Sequence, residues 1–184
     1  MANEESVTLP KDLLIRYYSD YFVETGSFFG GAIQTAIDAG FSEIRSIEVD
    51  PELYLYCQNR FMYDTRVTLY LGDTLEELPR VIADISDRIT FWLDAHYGNS
   101  PTQGEDPTPL LRELSIIKEH PRHDHILLID DVRLFGKNGW DRVTKFSVLE
   151  TILEINPRYE IAYMDSKLFP QDILVAYIPE DTDD

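Results

Sequence analysis

An α/β fold with a largely parallel sheet wound on both faces is predicted for these 184 residues, and three observations predict it. Short runs rich in β-branched and aromatic residues recur along the chain. They alternate with segments of helical period. The last two such runs are separated by a connection too short for a helix.

The strand-like runs are YFVET (21–25), RSIEV (45–49), VTLY (67–70), ITFWL (89–93) and HILLI (125–129). Between them, apolar residues fall at helical spacing. Ala32, Ile33, Ala36, Ile37 and Gly40 share one face, as do Leu75, Leu78 and Ile82, then Leu110, Leu114 and Ile117, then Val143, Phe146, Leu149, Ile152 and Leu153. Each helix therefore has a stripe to bury on a sheet, and right-handed crossovers between parallel strands cover both faces. The final runs, YEIAYMD (159–165) and DILVAYI (172–178), flank only SKLFPQ and should pair antiparallel. The expected strand order is 3-2-1-4-5-7-6, with the run near 172–178 reversed.

Length favours one domain spanning residues 1–184, with only Glu180 to Asp184 as a frayed acidic tail. The single cysteine, Cys57, cannot form an internal disulfide, which fits a reducing compartment and a cytoplasmic location. The first residues, MANEESVTLPKD, are acidic where a secretory signal would be basic and then apolar, so export is not expected. No apolar run is long enough to span a bilayer. With 34 acidic against 16 basic residues, the net charge of −18 disfavours nucleic acid and anionic membranes. It is compatible with a cationic ligand or a divalent metal as well as with plain solubility.

Four constellations carry chemistry. In ETGSFFGGAIQTAIDAG, Gly26 ends a strand while Gly30 and Gly31 open a helix, so a nucleotide-like ligand could cross the turn without meeting a Cβ. The spacing is G-x-x-x-G-G rather than the G-x-G-x-x-G of dinucleotide binders, which argues against an NAD-dependent dehydrogenase. Glu48, at the end of the second strand and 22 residues after Gly26, can accept two ribose hydroxyls. Asp50, just before Pro51, reads instead as a helix N-cap. Asp73, in LGDTLEELP, either faces an adenine amino group or caps the next helix. Finally Asp94, in FWLDAHY, and Asp130 and Asp131, in LLIDDVR, end neighbouring strands. Three converging carboxylates would hold Mg2+ or Ca2+, or else one faces the ligand while the others cap loops or pair with Arg133 or Lys137. His96 is the side chain in the same loop suited to general-base work. The cluster HPRHDH (120–125) precedes the fifth strand, at the opposite rim, and reads as a solvated loop.

These motifs, in this order, resemble those of class I S-adenosylmethionine-dependent methyltransferases, from about Tyr21 to Ile178. VETGSFFGGAIQTAIDAG is similar to that family's glycine motif, SIEVDPE to its ribose-binding motif and LYLGDTLEELP to its adenine-side motif. The resemblance implies a Rossmann-like seven-stranded sheet and a donor held by Glu24, Gly26, Gly30, Glu48, Asp73 and Asp94. Metal-dependent O-methyltransferases of the catechol and macrolide-sugar types look nearest, which would put Mg2+ on Asp94, Asp130 and Asp131. The catechol type has a lysine base after the fourth strand; here Ala95, His96, Tyr97 and Gly98 follow, leaving His96 with Asp94 as the catalytic candidates. Little chain precedes Tyr21 to cover a substrate, so the 98–109 segment is expected to act as a lid. The implied acceptor is a small molecule or sugar, with a homodimer left open. A non-catalytic nucleoside-binding module of the same fold is the alternative.

Overall fold

The computed structural model describes residues 8–94, 106, 108–137 and 139–179. The elements run α1 (Lys11–Arg16), β1 (Tyr21–Thr25), α2 (Gly31–Ala39), β2 (Glu43–Glu48), α3 (Pro51–Phe61), β3 (Val67–Leu71), α4 (Thr74–Ile82) and β4 (Ile89–Leu93). They continue with α5 (Leu110–Lys118), β5 (Ile126–Ile129), a 3-10 turn (Val132–Leu134), α6 (Lys145–Ile155), β6 (Glu160–Met164) and β7 (Ile173–Tyr177). One sheet holds all seven strands in the order β3-β2-β1-β4-β5-β7-β6. β1 to β5 pair parallel, and β7 is antiparallel to both β5 and β6, as the short connection requires. The fold is the doubly wound, Rossmann-like architecture with its last strand reversed.

Alternation along the strands sorts the core into two layers. Val23, Ile47, Phe91 and Leu127 face α4, α5 and α6 through Leu78, Leu114 and Val148. Phe22, Ile44, Trp92 and Leu128 face α1, α2 and α3 through Leu14, Ile33 and Phe61. β4 and β5 are buried at every position, as expected of central parallel strands covered on both sides. None of the helices described is long and apolar enough to cross a membrane.

Two sequence expectations need correction. The buried stripe of α6 is Val148, Ile152 and Ile155, whereas Phe146 is 75% exposed and Leu153 44%. Thr144 caps the helix through Ser147, and the start this sets turns Phe146 outward. The 120–125 segment is no solvated loop, because His120 and His125 are buried. Nδ1 of His125 accepts from the Ile89 N–H at 3.1 Å, and its Nε2 lies 2.9 Å from Nδ1 of His120. His120 in turn reaches the carbonyl of Ile85 at 3.0 Å through Nε2. This relay ties the amino ends of β4 and β5 together, away from the carboxyl rim.

Two features place chain at that rim. The segment before α1 brings Thr8 to the end of β5, where its hydroxyl meets Asp130. Because β7 runs backwards, β6 is aligned with β5, and the 165–172 connection therefore also emerges there.

Candidate functional site

The carboxyl ends of β1 and β4 meet where the strand order reverses, the position at which doubly wound sheets bind ligands. After β1 the backbone turns through Gly26 at φ 88°, a left-handed conformation that excludes most side chains. The N–H groups of Gly26 and Ser27 both donate to the carbonyl of Ile47, at 2.9 and 3.1 Å, which stitches the turn to β2. Gly30, at φ 74°, begins α2, and a Cβ on it would lie 2.4 Å from the ring of Phe61. Packing of α2 on α3 therefore accounts for glycine there without a ligand.

Glu48 sits under this turn and is 6% exposed. Its Oε2 accepts the Phe28 N–H at 2.8 Å and its Oε1 the Asp50 N–H at 2.9 Å. Burial raises its pKa and these backbone donors oppose the rise. Each oxygen retains a lone pair. Asp50 is the N-cap of α3, accepting from Glu52 and Leu53. Glu24, fully enclosed on β1, ends a chain of hydroxyls: Ser27 lies 2.5 Å from Ser46, which donates to Glu24 Oε2 at 2.5 Å. Burial holds the Glu24 carboxyl well above the usual carboxylate range. Asp73 caps α4 through one oxygen, which accepts from Leu75 at 2.8 Å.

A second acidic group surrounds a small cavity between the ends of β4 and β5, lined by Leu93, Asp94, Leu110, Glu113, Asp130, Asp131 and Trp140. The expected trio of Asp94, Asp130 and Asp131 shares this lining, but the tightest cluster is different. Carboxylate oxygens of Asp130, Asp131 and Asp172 lie within 4.8 Å of one another, and Asp94 is outside that set. The guanidinium of Arg133 contacts Asp131, one of the expected trio, and also Asp172, supplying countercharge to both. Asp172 also accepts the Arg133 N–H at 2.9 Å, fixing the 3-10 turn against the start of β7.

Asp130 is 3% exposed, and its Oδ2 accepts the Thr8 hydroxyl at 2.5 Å. Burial, reinforced by the charge of Asp94, pushes its pKa up to about 8. Glu113 is pushed up to about 7 by burial, while the Thr74 hydroxyl, donating at 2.9 Å, opposes the shift. Sequence reasoning missed both Glu113 and Asp172. The available signals were a glutamate on the apolar face of Leu110, Leu114 and Ile117, and an aspartate at the very start of the reversed strand. His96, Tyr97 and most of the 98–109 segment lie outside the described residues.

No protein-family model and no curated protein matches the sequence. Solved structures do match, and the fold they define is that of Rossmann-like methyltransferases and their structural kin. An O-methyltransferase from Bacillus cereus in complex with SAH superposes with a TM-score of 0.64 at 12% identity, covering 92% of this chain and 78% of that one. The O-methyltransferase TomG from Streptomyces achromogenes, in complex with SAM, gives 0.60 at 12% over 91% and 77%. Spermidine synthase from Thermotoga maritima gives 0.59 at 12% over 95% and 59%. At such identities the likeness concerns fold, and the chemistry must be argued from this chain's own residues.

Proposed function

We propose that the protein is a methyltransferase that uses S-adenosylmethionine to methylate an oxygen of a small molecule or sugar. The observation that carries this reading is the Gly26 turn hydrogen-bonded to β2 directly above the buried carboxylate of Glu48. The O-methyltransferases among the structural neighbours, two of them holding SAH or SAM, support it.

The residues fit the donor. Glu48 is already oriented by two backbone N–H groups, and its remaining lone pairs suit the two ribose hydroxyls. Gly26 leaves the approach clear of a Cβ. The carboxylate of Asp73, at the start of α4, is assigned to the adenine amino group. Asp94 places negative charge beside a ligand whose methionine end is cationic. When bound, S-adenosylmethionine supplies a methyl group already activated on a sulfonium, so positioning contributes most of the rate. His96, two residues beyond Asp94, is assigned to take the proton from the acceptor hydroxyl as the new O–CH3 bond forms.

A divalent ion fits the acidic group less well. Arg133 already supplies countercharge to Asp131 and Asp172, and a Mg2+ among these carboxylates would lie beside a guanidinium. No step of the reaction is assigned to a metal.

Calorimetric titration with SAH is the direct test, with NADH as the control. Micromolar SAH affinity and no NADH response are expected. NADH binding without SAH binding would replace this reading with a dehydrogenase. SAH binding with no methylated product from hydroxylated small molecules and sugars would leave a non-catalytic nucleoside-binding module.

A further inference from the structure

The cavity at the ends of β4 and β5 contains a polar atom with no partner. Asp130 is 3% exposed, and while Thr8 occupies its Oδ2, its Oδ1 is buried and accepts no hydrogen bond from any described residue. An unmatched buried acceptor costs about 1–3 kcal/mol, and more when charged, so folded proteins rarely keep one without a use. Asp130 lines the cavity alongside Asp94, Glu113 and Asp131, and none of the seven lining residues is basic; Asp131 is paired with Arg133 behind the lining, so a cation here would draw on Asp130, Asp94 and Glu113. The remaining walls are Leu93, Leu110 and Trp140.

We propose that this cavity is a subsite for an alkylammonium group on the methyl acceptor, which makes the acceptor an amino alcohol or amino sugar. The proposal rests on the methyl-transfer reading and names its substrate class. An ammonium is a donor with three N–H groups and no acceptor, matching an acidic lining with an orphaned Oδ1, and its charge opposes the burial that otherwise holds Asp130 and Glu113 toward their protonated forms. The cavity takes the ammonium head alone, and the apolar part of its lining, Leu93, Leu110 and Trp140, suits the carbon that carries the nitrogen. The net charge of −18 draws cations toward the protein as a whole. Size separates this ligand from Mg2+. The cavity has room for about one water-sized group. A bare ammonium fits there, whereas Mg2+ keeps several of its waters.

The test titrates n-butylammonium, 1-butanol and MgCl2 separately into the 15N-labelled full chain, with and without SAH. The readout is the indole N–H resonance of Trp140, distinguished from that of Trp92 by a Trp140→Phe variant. Butylammonium should move the Trp140 resonance and saturate in the millimolar range. Butanol, the neutral isostere, should leave it unmoved. Asp130→Asn should weaken butylammonium binding at least tenfold while the Trp92 resonance stays in place; should that variant not fold, Asp94→Asn is expected to weaken binding at least threefold. Equal responses to butanol and butylammonium, unchanged affinity in the variants, or Mg2+ saturating the shift below the butylammonium range would each overturn the proposal. SAH binding by calorimetry with no ammonium response would overturn it alone. An ammonium response without SAH binding would overturn the donor reading instead.

Discussion

The hydroxyl of Thr8 donates to Oδ2 of Asp130 at 2.5 Å, joining the segment before α1 to the end of β5 across 122 positions. It is the bond that orients the carboxylate whose other oxygen faces the acidic cavity. Thr8→Val should therefore cost about 1–2 kcal/mol, because it strips a buried acceptor of its partner. Thr8→Ser, which keeps the hydroxyl, should stay closer to the wild type. Urea denaturation of the two variants checks this, and a loss in Thr8→Ser as large as in Thr8→Val would show that the hydroxyl bond to Asp130 does not set the stability here.

Glu48 and Asp50 are neighbours with different tasks. Glu48→Ala should weaken SAH binding by about 1–3 kcal/mol, the range for charge-assisted hydrogen bonds left unmade. Asp50→Ala should keep near wild-type affinity and lose about 1 kcal/mol of stability, since it removes the cap of α3. Calorimetry and thermal melts on both variants decide, and a larger affinity loss at Asp50 would reverse the assignment.

The buried histidine relay predicts an acid-sensitive fold. Burial lowers the His125 pKa to about 3, from an ordinary value near 6.5. Below pH about 6.5 the unfolded chain takes up this proton while the folded one does not, so stability falls as pH drops toward about 3. This one group contributes up to about 1.4 kcal/mol per pH unit. In His125→Asn, whose side-chain carbonyl can still accept from Ile89, the slope between pH 6.5 and 4 should flatten. Parallel slopes for variant and wild type would show that the relay does not govern acid stability.

Gly30→Ala should cost about 2–4 kcal/mol, from the left-handed backbone at about 1–2 and from overpacking against Phe61. Phe61→Leu in the same chain should recover the packing part and leave the backbone part. Full recovery would mean that φ at this turn relaxes freely.

The strand order was legible because its signal is periodic: β1 and β4 coincide with YFVET and ITFWL, and the six residues of SKLFPQ forced the reversal. What escaped was polar burial. His120 and His125 read as solvent-facing because their identities are polar, yet each satisfies the other and a backbone group contributed by the β4 approach. Asp172 escaped for a different reason. It meets Asp131 through Arg133 across the chain's own reversal, a proximity that no local spacing encodes. The cap of α3 by Asp50 was legible because it is local, as was the position of Glu48 under the glycine turn.

The reversed β7 decides more than sheet topology. Had it run parallel to β5, its amino end and the preceding 165–172 segment would sit at the opposite rim, taking Asp172 and Phe169 away from Arg133. Polarity of one strand thus lets the last part of the chain wall one side of the crevice, while residues 21 to 75 build the glycine turn and the Glu48 shelf on the other. The two walls face each other across β1 and β4. Sequence drift in the terminal hairpin can accordingly reshape the surroundings of Asp130 at a distance from the Glu48 shelf, so on the proposed reading acceptor selectivity and donor binding can diverge within one sheet.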